Sequence, residues 1–225
     1  MFNVAIDGNV GSGKSTLAKE LSERLNFKVL DTGAIYRGIA CYYKSLYKTE
    51  PNEKIIEDFV KNIKIEIKFI DDKQHVIVND IDYTPYLRLE ATSMMASTIS
   101  QFKLIRESVL SLQRQFAEEN NCIIEGRDIG TVVLPNAQIK LFVTASEQVR
   151  AMRRYEQMKD KPNSPSYNEV LEDLRLRDYK DIHREIAPLK PAKDSIIIDS
   201  SNQTLEETVE CCIKIIKKKY VENSN

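Results

Sequence analysis

No stretch of this chain approaches the roughly 18 apolar residues that a membrane-spanning helix needs. An excess of one charge is missing too. Charged residues fill 30% of the 225 positions, yet the formal net charge is −1, so no global field calls for nucleic acid or an anionic membrane. The four cysteines, Cys41, Cys122, Cys211 and Cys212, contain no Cys-x-x-Cys spacing and have no histidine nearby. Adjacent Cys211 and Cys212 point to different sides of a helix and make a poor metal clamp, which leaves reduced thiols in a cytoplasmic protein as the expectation. Repeats and low-complexity tracts are absent, and the N-terminus enters a strand at once, which leaves no room for a signal peptide. The basic tail Lys214, Lys217, Lys218 and Lys219 reads as the wet face of a last helix.

What is present begins at residue 8. Gly8-Asn9-Val10-Gly11-Ser12-Gly13-Lys14-Ser15, followed by Thr16, fits the phosphate-binding loop pattern. Before it, Phe2-Asn3-Val4-Ala5-Ile6 reads as a buried strand; after it, Leu17, Ala18, Leu21 and Leu25 recur at helical spacing. The glycines let successive N–H groups turn toward a phosphate chain, and the helix N-terminus adds its positive dipole end. Lys14 adds a cation, and the Ser15 hydroxyl can hold Mg²⁺. A nucleoside triphosphate is the expected ligand.

Five segments read as buried strands alternating with helices, at about 2–7, 28–30, 122–125, 139–143 and 195–199. That alternation predicts an α/β fold with a parallel sheet covered by helices, whose ligands gather beyond the carboxyl ends of the strands. The first strand ends in the phosphate loop, the second in Asp31-Thr32-Gly33 and the third in Glu125-Gly126-Arg127-Asp128. The middle of the chain breaks the alternation. Ile63, Ile65, Ile67 and Phe69 alternate with charged residues, and Asp71-Asp72-Lys73-Gln74 turns the chain into Val76-Ile77-Val78. This predicts an antiparallel hairpin in an insertion over about 63–83, with a helix at 53–61 beside it. Helices are expected at 84–99 and 102–119, the second with a core stripe of Leu104, Ile105, Val109, Leu112 and Phe116. A loop is expected at 160–165, joining two charged helices.

The guanine-reading Asn-Lys-x-Asp element of GTPases is absent; arginine is abundant instead. Arg127-Asp128 follows a site-facing strand. Arg177, Asp181 and Arg184 share one helix face, as do Arg150, Arg153 and Arg154. Two readings stay open for each group: a ligand clamp, or a solvated face for the Arg150 group and a surface ion pair for Arg177–Asp181.

Nearly end to end, the chain resembles the bacterial cytidylate kinases, P-loop nucleoside monophosphate kinases that act on CMP and dCMP. The resemblance rests on Asp7-Gly8 through Thr16, on Leu30-Asp31-Thr32-Gly33-Ala34-Ile35-Tyr36-Arg37 and on Glu125-Gly126-Arg127-Asp128-Ile129-Gly130-Thr131-Val132-Val133. It extends to Arg150-Ala151-Met152-Arg153-Arg154, Ala187-Pro188-Leu189, Ala192-Lys193-Asp194 and Ile198-Asp199-Ser200. It implies a single P-loop kinase domain over 1–225 with a five-stranded parallel sheet. An NMP-binding insertion would span 37–105, with its hairpin at about 63–78, and an arginine-rich lid 148–185. By the same resemblance Arg37, Arg127 and Arg184 would grip the CMP phosphate. Ser97, Arg106 and Asp128 would read cytosine, with Thr32 and Tyr36 on the substrate side, and Arg177 and Asp181 would hold the sugar. Arg153, Arg154 and Arg150 would close on ATP. The resemblance thus makes Lys14, Arg127, Arg184 and Arg153 the expected catalytic set and Ser15 the expected metal ligand.

Chemistry agrees with these roles. Cytosine shows an amino donor beside acceptors; Asp128 supplies the acceptor and Arg106 the donors. The attacking CMP phosphate, with a second pKa of about 6, is mostly dianionic near neutrality. No general base is needed, which suits a chain whose only histidines are His75 and His183. ATP, CMP or dCMP and Mg²⁺ are the expected partners, with no nucleic acid or membrane, for a monomeric enzyme. Asn9 departs from the proline common at its position, and the segment 79–98 matches loosely. The rivals are another small-substrate P-loop kinase, for adenylate or shikimate, and a non-catalytic nucleotide-binding module. For the carboxylate beside Ser15, Asp31 and Asp199 are candidates, each alternatively a helix cap.

Overall fold

A computed structural model describes residues 1–87, 90–160 and 164–222. In chain order the elements are β1 (Asn3–Gly8), α1 (Lys14–Leu25), β2 (Lys28–Asp31), α2 (Thr32–Leu46), α3 (Glu53–Lys61), β3 (Ile65–Ile70), β4 (Lys73–Val78), β5 (Ile81–Asp82), α4 (Glu90–Ile99), α5 (Lys103–Glu119), β6 (Cys122–Gly126), β7 (Ile139–Thr144), α6 (Glu147–Glu156), α7 (Tyr167–His183), β8 (Ile196–Asp199) and α8 (Leu205–Glu222). They form two compact units. The first comprises residues 1–29 and 119–225, the second the continuous segment 30–118.

The first unit is built on a parallel sheet ordered β2-β6-β1-β7-β8. β1 lies at its centre, paired in register with β6 (Ile6 with Glu125, Asp7 with Gly126) and with β7 (Asp7 with Phe142, Gly8 with Val143). The five expected strands are all present within a residue or two. Val4, Ile6, Ile123, Leu141, Val143 and Ile198 form the apolar interior with Leu17, Ala18 and Leu21 of α1 and Val209, Cys212 and Ile216 of α8. Phe2, Phe27 and Tyr220 close its end as a ring cluster with centroids 5.0–6.1 Å apart. Lys214 and Lys217 to Lys219 form the exposed face of α8. Cys212 is buried and Cys211 exposed, on opposite sides as expected, and all four cysteines are free.

The second unit holds the antiparallel sheet β3-β4-β5, one strand more than a single hairpin. Its turn is tighter than the sequence suggests. Asp71 and Asp72 alone make it, both at positive φ (49° and 57°), as the two-residue primed turn of a twisted hairpin demands. Lys73 and Gln74 already belong to β4. Ala34, Val76, Val78, Tyr83 and Leu87 form this unit's core. On α5 the buried stripe is Ile105, Val109, Gln113 and Ala117, while Leu104, Leu112 and Phe116 are half-buried. Phe116 stacks on Phe69 with centroids 5.4 Å apart. The helix expected over 84–99 is corrected. Thr84–Tyr86 form a single 3₁₀ turn and α4 spans Glu90–Ile99, while residues 88 and 89 between them lie outside the described residues. Within the loop expected at 160–165, residues 161–163 lie outside the described residues. Among the described residues no helix is long and apolar enough to cross a membrane.

Candidate active site

The phosphate loop takes the conformation its glycines permit. Gly11 and Gly13 lie at φ +72° and +87°, the left-handed region that side chains disfavour. Gly13 caps α1 without any side-chain bond, so the first-turn N–H groups of the helix are left for an anion. Lys14 is buried, and its ammonium donates to the Asn9 carbonyl at 3.1 Å. Asn9 thus serves through its backbone, whichever side chain it carries. The Ser15 hydroxyl donates to Glu125 Oε2 at 2.8 Å, a neighbour the sequence reading did not single out. The two carboxylates it did weigh are engaged elsewhere. Asp31 accepts from Ala34 N (2.9 Å), capping α2, and pairs with Arg37 at 2.7 Å. Asp199 accepts from the Ser201 N–H and hydroxyl at 2.9 and 2.6 Å.

At the end of β6 the chain turns through Arg127-Asp128 into a short segment wound with i→i+5 bonds. There Val133 N donates to Asp128 O (3.2 Å) and Leu134 N to Ile129 O (2.7 Å). Such wide turns recur at functional sites. The Asp7 carboxylate fixes this one to β1, accepting from Ile129 N and Gly130 N at 2.7 Å each. Arg127 Nε donates to Asp181 Oδ2 at 2.7 Å. Burial alone lowers the Arg127 pKa, but Asp181 outweighs it and the net shift is upward. Arg184 donates through Nη2 to Asp128 (3.2 Å) and through Nε to the Ala187 carbonyl (2.6 Å).

Arg177 differs from the expected Arg177–Asp181 pair. Asp181 serves Arg127, while Arg177 lies 3.7 Å from Asp173. Burial and the like charge of Arg127 lower the Arg177 pKa. The Arg150 group is no solvated face. Arg150 is buried and Arg153 and Arg154 half-buried. Arg153 donates to the Ser200 hydroxyl at 3.0 Å and to its carbonyl at 2.7 Å. The Arg150 guanidinium, expected over ATP, instead bonds Ala145 O, Val10 O and Asp178.

In the second unit, Gln74 clasps the Asp31 backbone with both ends of its amide, accepting from Asp31 N (2.8 Å) and donating to its carbonyl (3.0 Å). This sets the start of α2, where Thr32 is buried and Tyr36 and Arg37 are half-buried. The buried Arg106 guanidinium sits 5.7 Å from the Tyr36 ring centroid and donates to Ser100 O at 3.2 Å. Ser97 lies on α4.

The sequence profile of the cytidylate kinase family matches residues 4–218. Cytidylate kinases from Caldicellulosiruptor saccharolyticus (40% identical over 218 residues, 96% of both chains) and Thermotoga neapolitana (39% over 220 residues, 97% of this chain and 98% of the relative) are similar throughout. The chain belongs to the cytidylate kinase family. Among solved structures, an uncharacterised protein from Eubacterium ventriosum covers 96% of this chain and 99% of its own, with a TM-score of 0.55 at 14% identity. That likeness speaks for the fold alone.

Set beside that membership, one feature of the polar interior stands out. Among the described residues, three buried side-chain polar atoms lack a partner: Ser12 Oγ, Ser97 Oγ and Arg177 Nε. All three belong to residues that the cytidylate kinase resemblance assigns to ATP, base or sugar. Buried donors without acceptors are rare and costly, so a ligand is their natural complement.

Asp7, Glu125, Asp178 and Ser200, which hydrogen-bond the phosphate loop, the turn after β6 and Arg153, are residues to which the sequence reading gave no role. For Asp178 a signal existed. Val170, Leu174, Asp178 and Asp181 share the buried side of α7, and a carboxylate in an apolar stripe demands a partner.

Asp7 carries a measurable consequence. Burial pushes its carboxyl from the ordinary 3.8 up to about 6, against the two N–H bonds, with nearby Asp128 raising it further and Lys14 opposing. The folded chain therefore binds this proton more tightly than the unfolded one. The contribution to stability is full below pH 3.8 and is lost as pH rises through 6, a change on the order of 3 kcal/mol at about 1.36 kcal/mol per unit. Asp7→Asn should remove that part of the fall in unfolding free energy between pH 4 and 7, measured by urea denaturation across pH. Equal slopes in both proteins would contradict it.

Proposed function

We propose that this chain moves the γ-phosphoryl group of ATP to CMP or dCMP, giving ADP and CDP or dCDP. The observation carrying this reading is that the three orphaned buried polar atoms, Ser12 Oγ, Ser97 Oγ and Arg177 Nε, all belong to residues assigned to the two nucleotides.

The roles follow from the chemistry of each group. The loop N–H groups and the open end of α1 would cradle the triphosphate, with Lys14 against its outer phosphates. Oxygen donors suit Mg²⁺, and Ser15 with Glu125 beside it would hold the ion, which would supply positive charge against the triphosphate. Arg37, Arg127 and Arg184 would grip the CMP phosphate. Each is already oriented by an acceptor: Asp31, Asp181, and Asp128 with Ala187 O, respectively. Arg177 and Asp181 would hold the sugar. Asp128 would accept from the cytosine amino group, with Arg106 and Ser97 completing the base reading and Thr32 and Tyr36 beside them. The insertion over 37–105 would carry the substrate side, and Arg153 and Arg154 in the lid, 148–185, would add charge as the phosphoryl group moves. No residue need take a proton from the dianionic acceptor. Catalysis is then positioning and charge cancellation.

The test is ADP release with Mg-ATP and CMP, dCMP, UMP, AMP or GMP, for the wild type and Asp128→Asn. CMP and dCMP should lead UMP by roughly tenfold or more, because uracil turns an oxygen on the carboxylate. Asp128→Asn keeps an acceptor for Arg184 but offers uracil an amide donor, so the lead over UMP should shrink by about tenfold. Another preferred monophosphate would overturn the substrate reading. ATP binding without turnover of any monophosphate would leave a binding module instead.

A further inference from the structure

The tip of the phosphate loop is held from outside by two side chains that the reaction as described does not use. Val10 N–H donates to Asp178 Oδ1 at 3.1 Å, and Val10 C=O accepts from Arg150 Nη1 at 2.8 Å. The same Nη1 donates to Asp178 Oδ2 at 2.6 Å, closing a ring of three residues. Arg150 Nε is in turn anchored on the Ala145 carbonyl at 2.9 Å. Both side chains are deeply buried, Arg150 4% and Asp178 7% exposed. Both backbone polar groups of a single loop residue are thus claimed by charged side chains from α6 and α7.

A peptide unit is planar and trans, so its C=O and N–H point in opposite directions. Pinning Val10 C=O on Arg150 therefore aims Gly11 N–H away from it. Pinning Val10 N–H on Asp178 aims Asn9 C=O the other way, and Asn9 O is the acceptor for the Lys14 ammonium (3.1 Å) and for Ser12 N (3.4 Å). An ideal Cβ at Gly11 would also lie within 3.3–3.5 Å of Arg150 and of Leu174 on α7, so the loop is seated against both helices.

We propose that Arg150 and Asp178 are positioning residues for ATP. They fix the two peptide planes flanking Val10, and through them aim the Gly11 N–H and hold the carbonyl that orients Lys14. This inference rests on the reading of the loop as an ATP cradle and deepens it. Arg150 acts through the loop backbone and does not touch the nucleotide.

The experiment measures ATP affinity without acceptor by titration calorimetry, thermal stability, and KM for each substrate. The proteins are wild type, Asp178→Leu, Arg150→Met and the double variant Arg150→Met with Asp178→Leu. Each single variant should bind ATP roughly tenfold more weakly, one charge-assisted hydrogen bond's worth, with KM for ATP rising alongside and KM for CMP within about twofold. The double variant replaces the buried pair by apolar groups, which restores stability in many proteins. It should regain its melting temperature yet keep the weakened ATP affinity, because nothing then holds Val10. Recovery of both would make the pair a packing element and overturn the proposal. So would wild-type ATP affinity in Asp178→Leu. Pair-dependent ATP binding in a protein that phosphorylates no monophosphate would sustain this inference while sinking the phosphotransfer reading.

Discussion

Lys14→Met should lower kcat for CMP phosphorylation by about two to three orders of magnitude, the loss seen when one electrostatic stabiliser of a transition state is removed. The γ-phosphoryl group in transit spreads charge over its oxygens, and little covalent work is left to the protein. A point charge in a buried loop acts at low effective dielectric and is already oriented, since its ammonium rests on the Asn9 carbonyl at 3.1 Å. Methionine keeps the unbranched stem and removes the ammonium. Melting temperature should therefore stay within a few degrees while turnover collapses, because a buried charge contributes little net stability. Steady-state kinetics with saturating ATP and CMP check this, and a kcat within tenfold of wild type would rule out the role assigned to Lys14.

Gly8→Ala should act on the fold itself. Gly8 pairs with Val143 in the β1–β7 ladder, and a Cβ on Gly8 would collide with the Val143 carbonyl oxygen. That oxygen is backbone in a strand paired on both sides, by β1 and β8, so it has no rotamer through which to yield. The Ser12 hydroxyl, 3.2 Å from the same point, closes the other side. Relief requires parting β1 from β7 at the mouth of the phosphate loop. The expected loss is about 3 kcal/mol, the upper end of what overpacking ordinarily costs, because the neighbour is rigid backbone. Urea unfolding of the variant decides the matter; a loss below about 1 kcal/mol would mean that the sheet opens there cheaply.

Much of this molecule is readable along the chain. Val4-Ala5-Ile6, Ile123-Ile124 and Leu141-Phe142-Val143 announce their strands because fully buried parallel strands are continuous apolar runs. Ile65, Ile67 and Phe69 announce theirs by alternation. What escaped is whatever a local pattern does not encode. The 3₁₀ turn at Thr84–Tyr86 replaces the start of an otherwise plausible helix, and β5 is only two residues long. In the candidate site, the loop and its arginines were legible as motifs, but their partners were not. Ser15 meets Glu125 across 110 residues, Asp7 meets Ile129 across 122 and Val10 meets Asp178 across 168. No window of sequence contains both ends of such a bond. The Arg150 and Arg177 groups illustrate the same limit. Helical spacing put their members on common faces, yet what those faces touch depends on distant strands and turns.

The pairing of β1 with β6 has a consequence for how the chain is made. Asn3 lies opposite Cys122 and Asp7 opposite Gly126, so β1 leaves the ribosome more than a hundred residues ahead of its β6 partner. The segment 30–118, by contrast, is continuous and has its own apolar centre in Ala34, Val76, Val78, Tyr83 and Leu87. Local hairpins close quickly, whereas distant strands must first overcome the entropy of a long loop. Order of birth and order of folding are thus reversed for the nucleotide loop. Val4, Ala5 and Ile6, apolar and β-prone, stay unpaired while the intervening chain is made, which exposes them to the off-pathway pairing that open strand edges invite.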